Sequence, residues 1–333
     1  MTFQSHIKQF ERAVGRFVLI GMRAIIRRLP YSIFQLLTFV FTMIAWPVLA
    51  KKRRIATESL KIAYGHAKSP AEISQIASAC FKNFGRGMID LIYFIDHSQK
   101  IVENISISGK ENLEQALAKG NGAIIVSAHF GNFILMYTRI LKEGYKTNVI
   151  MRRTRDEVFE KYISGFRDEQ GLQTIYDLPA RKCVQQSLKA LRSNEVLFIL
   201  LDQSYGSDGR VFVDFFGKQA ATATGPVVFS NRTGAPILPM FIRRERGLKS
   251  QITIQPPISL EEGEGQDIVV RNVAKISKII EAQIRLYPHE WGGWMHKRWK
   301  SRTIEEQTII DRVNEERAKT KNLNNRIFQK PAA

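Results

Sequence analysis

A histidine at the end of an apolar run is the first feature of this sequence that could do chemistry. His129 directly follows residues 123–128 and precedes Gly131 and Asn132. A neutral imidazole can take a proton from a hydroxyl nucleophile, glycine lets the backbone approach a ligand, and Asn132 or backbone N–H groups could stabilise a developing oxyanion. The same spacing also fits a structural histidine that caps the next helix, so both interpretations stay open.

A second pair of polar residues follows another apolar run. Asp202 and Gln203 come directly after residues 196–201. If both runs are strands of one open α/β sheet, both polar segments lie at carboxyl ends of strands, where such sheets gather their functional residues. Asp202 could therefore lie on the same rim of the sheet as His129.

Short apolar runs alternate with helical periodicity through the centre of the chain. Runs rich in Val, Ile and Leu predict buried strands, and apolar residues three and four apart predict helices. The fold class is therefore α/β, a central sheet flanked by helices, and the sheet is expected to be mixed because residues 211–216 resemble an irregular or edge strand. The strands are expected at 123–128, 148–151, 196–201, 236–242 and 251–254, and the helices at 56–98, 111–119, 156–168, 181–193 and 267–286.

The composition fits a folded protein with anionic partners. Hydrophobic residues make up 44% of the 333 positions and charged residues 24%, which supports a full-size core and excludes global disorder. Fifty Lys and Arg against 31 Asp and Glu give a net charge of +19, which suits nucleic acid, an anionic membrane or an acidic soluble partner. Cys80 and Cys183 are too few for a disulfide framework or a zinc site and are expected as buried thiols. No metal or resident cofactor is expected.

The first fifty residues favour a membrane among these partners. Residues 31–50 carry no charge, and their number is about that needed to cross a bilayer core of roughly 30 Å. Residues 3–17 place apolar side chains three and four apart among Lys and Arg, as in a helix lying in an anionic interface. Basic residues flank 31–50 on both sides, so a spanning helix and an interfacial helix both stay open. The domains are expected to be a membrane anchor (1–50), an α/β domain (51–302) and a polar tail (303–333).

The rival class is a nucleic-acid-binding protein. The net charge of +19 permits it, and Trp291, Trp294 and Trp299 lie among Lys and Arg, where rings could stack on bases or lie at membrane headgroup level. The uncharged run 31–50 and the lack of a recognisable nucleic-acid-binding module argue against this class. No nucleic-acid partner is therefore expected.

Three segments of the sequence resemble the bacterial lipid A late acyltransferase family, the lauroyl and myristoyl transferases. Residues 127–136, SAHFGNFILM, resemble the family's first motif, usually written H-x-G-N-W-E. Residues 200–243 have the Asp-Gln, Phe-Phe-Gly, Thr-Gly-Pro and Arg-Thr-Gly-Ala-Pro of its central block. Residues 287–302, YPHEWGGWMHKRWKSR, resemble its ending. The resemblance extends over residues 10–302.

This resemblance implies a glycerolipid-acyltransferase-like fold and an enzyme bound to the cytoplasmic side of an inner membrane. Such an enzyme would move a fatty acyl group from an acyl carrier protein or coenzyme A thioester to a hydroxyl of a glycolipid such as a lipid A precursor, of a lysophospholipid or of an aminolipid. His129 matches the family's base. Arg152 and Arg232 fall in matching segments and suit phosphate, because guanidinium groups bind it in a bidentate way. With Gly131 and Gln203 they form the expected substrate-binding set.

The acidic position of the family's motif is not kept in this sequence. Ile134 stands where the family has Glu or Asp, and Phe133 replaces its Trp. Another carboxylate could supply the function, with Asp202 the best candidate, or His129 could be oriented by a backbone carbonyl and work at a reduced rate. A third interpretation is a protein that binds lipid but has lost catalysis. We favour the first two, and the expected catalytic set is His129, Asp202 and Asn132.

Overall fold

The computed structural model describes residues 31–154, 157–206, 209–263 and 265–301. The amphipathic segment expected at 3–17 and the tail expected at 303–333 lie outside these ranges. The helices are α1 (Tyr31–Val48), α2 (Ala50–Tyr64), α3 (Pro70–Asp96), α4 (Lys100–Asn104), α5 (Lys110–Leu117), α6 (Phe133–Lys142), α7 (Glu157–Glu169), α8 (Ala180–Arg192), α9 (Gly225–Thr233) and α10 (Gln266–Leu286). The strands are β1 (Ile105–Ser108), β2 (Ala123–Ser127), β3 (Thr147–Met151), β4 (Gln173–Tyr176), β5 (Val196–Leu200), β6 (Arg210–Phe215), β7 (Lys218–Ala223), β8 (Ile237–Arg244) and β9 (Ser250–Ile254).

Seven of the described strands form one mixed sheet in the order β1-β9-β8-β2-β5-β3-β4. The five strands from β8 to β4 are parallel, whereas β9 is antiparallel to β8. The α/β class and the mixed sheet are therefore confirmed, but the predicted reason is wrong. Residues 211–216 fall almost entirely in β6, which pairs with β7 in a separate antiparallel hairpin. Burial alternates along β6, which packs against α10, so this strand lacks the two covered faces of a central strand.

Two apolar cores lie on the two faces of the sheet. Successive side chains of a strand point to opposite faces, so Ile124 and Val126 of β2 enter one core while Ala123 and Ile125 enter the other. This double burial explains why β2 is an uninterrupted apolar run. The shorter strands β1 and β4 have partly exposed residues, and apolar runs did not predict them.

The predicted helix at 56–98 is two helices. Gly65 ends α2 with a φ of 51°, a conformation that suits glycine. Ser69 begins α3, because its side chain accepts from the Glu72 N–H while the Glu72 carboxylate accepts from the Ser69 N–H. This capping box fixes the start of the long helix that covers the candidate site.

Helix α1 packs against α3 and leaves apolar side chains exposed. The Trp46 ring meets the Phe81 ring edge-on, with centroids 5.3 Å apart. Leu36, Phe39 and Met43 are about 60% exposed. Across the described ranges, none of the helices has both the length and the hydropathy of a membrane-spanning helix.

The tryptophans near the end of the α/β domain lie inside the protein. Trp291 and Trp294 are fully buried, so their rings form a packed corner of the core and do not lie at headgroup level. Trp299 is partly buried, and its Nε1–H donates to the Phe215 carbonyl at 3.2 Å. Cys80 and Cys183 are buried free thiols, as expected.

Candidate active site

The structure brings His129 and Asp202 together at the carboxyl edge of the sheet. They follow β2 and β5, neighbouring parallel strands in which Ser127 pairs with Leu200, so both side chains leave the sheet at the same level. Nδ1 of His129 is 2.9 Å from Oδ1 of Asp202. Because an ionised carboxylate only accepts hydrogen bonds, Nδ1 carries the proton and Nε2 is the basic nitrogen.

The surroundings of Asp202 keep it ionised. The side chain is fully buried, and the Trp291 Nε1–H donates to its second oxygen, Oδ2, at 2.7 Å. Burial raises the pKa of Asp202, but the neighbouring imidazole of His129 and these hydrogen bonds outweigh that effect and lower the pKa to about 2. Asp202 is therefore a carboxylate that fixes the ring of His129.

Asp202 in turn raises the pKa of His129. Burial alone lowers the pKa of the imidazole, but the charge of Asp202 and its hydrogen bond to Nδ1 more than offset that effect. The side chain of His129 is 29% exposed, so a ligand can reach it. The pair thus combines a reachable nitrogen base with a sequestered carboxylate.

Gln203 lies against the basic nitrogen of His129. Its Nε2 is 3.1 Å from His129 Nε2, which matches an amide donating to the unprotonated ring nitrogen. The backbone carbonyl oxygen of Gln203 accepts a hydrogen bond from Arg298 at 3.0 Å. The sequence placed Gln203 in the substrate-binding set; the structure places its amide beside the ring of His129, and its contact with substrate stays a prediction.

Two positioning residues come from the segment after α10, and the sequence did not predict them. Trp291 contacts Asp202 as described, and the buried Arg298 bonds the carbonyl oxygens of Gln203 and Ala221 and the Thr222 hydroxyl. Arg298 therefore ties the Asp202–Gln203 loop to β7. The dense run of Trp, Lys and Arg at 291–300 signalled an unusual segment, but spacing alone could not show which loop it contacts.

Gly131 is required by the fold of the loop after His129. Its φ is +54°, and a β-carbon there would overlap the Ile242 carbonyl oxygen on β8. Its N–H donates to the Glu290 carbonyl at 2.9 Å. That N–H is therefore engaged within the protein, and the contact of Gly131 with substrate stays a prediction.

Asn132 caps a helix in this structure. Its side-chain oxygen accepts from the Leu135 N–H at 3.4 Å at the start of α6, and its amide nitrogen donates to the Gly87 carbonyl of α3 at 2.8 Å. One N–H of the Asn132 side-chain amide is therefore used by Gly87, and the expected contact of its second N–H with an oxyanion stays a prediction. Asn132 joins the loop carrying His129 to α3.

The two predicted arginines lie in different places. Arg152 follows β3 at the same edge of the sheet as His129, is exposed, and pairs with Asp177 at 3.0 Å. Its strand is two positions from β2, about 10 Å away at the usual strand spacing.

Arg232 lies at the opposite edge of the sheet from His129. It is in the last turn of α9, which leads through Gly234 into the start of β8, and Gly234 lies beside Asn121, just before β2. The expectation that Arg232 contacts substrate near the site is wrong, because a helix that precedes a parallel strand ends at the amino edge of the sheet.

A cavity of about 220 Å³ opens beside His129. The Phe133 ring is 4.9 Å from the His129 ring, and the His296 ring is 6.2 Å away on another wall. Arg244, Ser250 and Glu290 also line it. Its apolar walls are suited to a hydrocarbon chain and come from α3 and the start of α6: Phe84, Met88, Leu91, Phe133 and Ile134.

A model of the family described as bacterial lipid A biosynthesis acyltransferase matches residues 1–301. The chain belongs to this family. It is 23% identical to the lipid A biosynthesis lauroyltransferase of Escherichia coli K12 over 286 residues, which cover 85% of this chain and 90% of the relative. It is 28% identical to a lipid A biosynthesis acyltransferase of Haemophilus influenzae over 183 residues, 53% of this chain and 54% of the relative. A phosphatidylinositol mannoside acyltransferase of Mycobacterium tuberculosis H37Rv is 28% identical over 135 residues, 40% of this chain and 42% of the relative.

Position 134, where the family's motif has Glu or Asp, belongs to the apolar wall of the cavity beside His129. Ile134 is partly buried, lines the cavity and packs against the core, and the ring nitrogen that a motif carboxylate would orient is held by Asp202. Among the residues that the structure describes, there is no group of three or more His, Cys, Asp and Glu side chains that could hold a metal.

Restoring the family's carboxylate should weaken this protein. Ile134→Glu places a carboxyl group in an apolar wall without a polar partner, so we expect the free energy of unfolding to fall by about 1–3 kcal/mol and acyl transfer not to rise. Chemical denaturation and steady-state rates measure both quantities, with Ile134→Leu as the volume-matched control. A faster enzyme of unchanged stability would contradict the role given to Asp202.

Proposed function

We propose that this protein transfers a fatty acyl group from an acyl carrier protein or coenzyme A thioester to a hydroxyl of a glycolipid, with His129 as the general base. The observation that carries the proposal is the hydrogen bond between His129 Nδ1 and Asp202, beside an apolar cavity, in a chain of a lipid acyltransferase family. The net charge of +19 suits an acidic carrier protein as donor and an anionic membrane as surroundings.

In the proposed reaction His129 Nε2 accepts the proton of the acceptor hydroxyl as its oxygen attacks the thioester carbonyl. The new C–O bond forms, the carbonyl π electrons move to oxygen, and the intermediate collapses by breaking the C–S bond. The thiolate takes the proton from the imidazolium, so the base is regenerated. Asp202 stabilises the imidazolium between these steps, since its negative charge is 2.9 Å from Nδ1.

The Gln203 side-chain amide blocks the basic nitrogen of His129 when no acceptor is bound. Its amide occupies the nitrogen that the acceptor hydroxyl must reach, so the hydroxyl replaces the amide when the acceptor binds. The displaced amide, a hydrogen-bond donor, lies within reach of the thioester oxygen. The oxyanion is further favoured by the partial positive charge at the start of α6, four residues after His129.

The acceptor is proposed to be a glycolipid because two kinds of relative acylate one by name. The names refer to lipid A in Escherichia coli and Haemophilus influenzae and to phosphatidylinositol mannoside in Mycobacterium tuberculosis. Lysophospholipids and aminolipids are the alternative acceptors. A lipid-binding homologue without catalysis is the other alternative, and the buried, hydrogen-bonded Asp202 beside His129 argues for the enzyme.

A direct assay tests the proposal. The purified full-length chain is incubated with acyl-acyl carrier protein or acyl-coenzyme A and, in turn, a lipid A precursor, a phosphatidylinositol mannoside and a lysophospholipid. Mass spectrometry should show one acceptor gaining one acyl group, and the product should be absent with His129→Ala. Binding of lipid without any acylated product from any donor would favour the non-catalytic alternative.

We also propose that the enzyme works at the cytoplasmic face of an inner membrane, with residues 1–50 as its anchor. Helix α1 presents Ile33, Leu36 and Val40 on its exposed surface, and Lys51, Lys52 and the arginines after them follow it. Apolar side chains beside cations suit an anionic bilayer interface.

Removing the exposed apolar side chains of α1 should weaken membrane binding. Replacing Ile33, Leu36 and Val40 with serine should reduce binding to anionic phospholipid vesicles by a factor of about 10². That factor corresponds to about 0.9 kcal/mol for each side chain, less than the about 1.5–3 kcal/mol of full burial, because each is only partly exposed before binding. Vesicle co-sedimentation of the full-length protein measures this. The matched control replaces three exposed apolar residues elsewhere, Val102, Leu178 and Leu286; equal losses in both variants would contradict the role of α1.

A further inference from the structure

A second, larger cavity lies against a different face of α3 from the one that covers His129. We call it the α1–α3 groove; its volume is about 590 Å³, and both of its walls are helices. Its apolar surface comes from Phe39, Met43 and Trp46 of α1 and Phe81 of α3, and its cations are Lys82 and Arg86. Nothing in the reaction at His129 uses these residues.

The Trp46 ring of the groove is held in place by two neighbouring side chains. The Trp46 ring meets the Phe81 ring edge-on at 5.3 Å, and the Arg53 guanidinium lies 5.3 Å from the centre of the same indole. Arg53 also donates to the Trp46 carbonyl at 3.2 Å. The groove is thus a preformed apolar surface, which lowers the entropy cost of binding a flexible chain.

The cations of the groove suit an anionic head group. Arg86 donates one N–H to the Gly247 carbonyl at 3.0 Å, and a guanidinium has five N–H donors, so others can bind a ligand. Lys82 is exposed one turn before it on α3. A phosphate can accept from both cations while an attached hydrocarbon chain contacts Phe39 and Met43.

The groove and the His129 cavity are neighbours. Asn83 lines both, and only the thickness of α3, about 10 Å for a helix with its side chains, separates them. A lipid whose chain lies in the groove therefore has its head group about one helix diameter from the base.

We propose that the α1–α3 groove binds a hydrocarbon chain and the adjoining phosphate of the acceptor lipid, an inference that rests on the proposed function. The exposed apolar side chains of α1 continue from its surface into the groove at Phe39 and Met43, which gives a lipid a continuous path from a bilayer. The paired cations favour this occupant over an apolar segment of the chain or a second copy of the protein.

Quenching of Trp46 fluorescence tests binding without requiring catalysis. The full-length chain is placed in nanodiscs of unlabelled phosphatidylcholine and titrated with lysophosphatidic acid carrying a brominated chain, since bromine quenches tryptophan on contact. We expect saturable quenching that disappears in Trp46→Phe. Brominated monoacylglycerol, which has the chain but no phosphate, should bind about tenfold more weakly, the usual value of a charge-assisted hydrogen bond.

Variants separate the phosphate contacts from the chain contacts. Lys82→Gln with Arg86→Gln should weaken brominated lysophosphatidic acid about tenfold and leave monoacylglycerol unchanged, and should raise KM for a phosphate-bearing acceptor about tenfold at constant kcat. Ser78→Phe, which fills the groove, should abolish quenching by both lipids. Lys119→Gln removes an exposed charge outside the groove and should change neither.

Three results would overturn the inference. They are equal affinity for the two brominated lipids, quenching that begins only after residues 1–30 are deleted, and a change of oligomeric state on filling the groove. If His129→Ala abolishes transfer while the groove variants alter neither quenching nor KM, the groove inference fails and the proposed function stands. If the groove binds as expected but no donor yields an acylated product, the proposed function fails instead.

Discussion

The variant His129→Ala should transfer acyl groups about 10²–10⁴ times more slowly than the unmodified protein, the usual contribution of a general base. The expectation follows from geometry. Nδ1 is fixed by Asp202, so Nε2 is the basic nitrogen, and the His129 ring lines an apolar cavity. Steady-state rates with a saturating acyl donor measure the loss.

The matched control for this variant is His97→Ala. His97 ends α3 and stacks on Tyr93, outside the cavity, so its loss should leave the rate unchanged. Vesicle binding should be near normal in His129→Ala, whereas thermal unfolding should occur at a lower temperature, because the buried carboxylate of Asp202 loses its hydrogen-bonded partner. A His129→Ala protein that folds and keeps near-full activity would show that another group is the base.

Asp202→Asn should lower the rate by a similar factor, about 10²–10⁴, by changing the tautomer of His129. An asparagine amide can donate to Nδ1, which moves the ring proton to Nε2 and removes the base. The neighbouring Trp291→Phe leaves the carboxylate in place and removes one hydrogen bond to it, so a smaller loss of about tenfold is expected.

The pH–rate profile distinguishes this role from a structural one. His129 must be neutral to accept a proton, and its pKa lies above the usual 6.5, so the rate of the unmodified enzyme falls as the pH drops through that raised value. Asp202→Asn removes the charge that raises the pKa while burial, which lowers it, remains. The residual activity should therefore extend to lower pH.

Asp214→Asn is the control for Asp202→Asn, because Asp214 is a partly exposed carboxylate on β6 paired only loosely with Lys278, at 3.8 Å. It should leave both the rate and the pH profile unchanged. A silent Asp202→Asn together with a faster Ile134→Glu would mean that the site is a weakened form of the family's dyad.

The sequence predicted the part of the site that strands position. The buried strands β2 and β5 follow from uninterrupted apolar runs, and parallel neighbours end at one edge, which is why His129 and Asp202 could be expected together. It failed for Arg232 because an apolar run does not show which edge of a sheet the preceding helix reaches. It did not predict that the Asn132 side-chain oxygen caps α6, because residue spacing did not show that this helix begins at Phe133.

Contacts between distant segments were beyond sequence patterns. Trp291 reaches Asp202 across 89 positions, and Arg298 reaches Gln203 across 95. The periodicity of apolar residues shows which face of one helix or strand is buried. These hydrogen bonds depend instead on how the segment after α10, with its short 3-10 helices Pro288–Glu290 and Gly292–Met295, meets the loop after β5. The fold class was therefore predictable, while the support of the carboxylate was not.

The order of these segments along the chain has a consequence for biosynthesis. A ribosome releases β2 and β5, and with them His129 and Asp202, well before it releases Trp291 and Arg298. Domains form from the amino terminus as they are synthesised, so a nascent chain contains the base and the carboxylate before either is held in position. The hydrogen bonds that Trp291 and Arg298 donate to Asp202 and Gln203 therefore form only once residue 298 has left the exit tunnel.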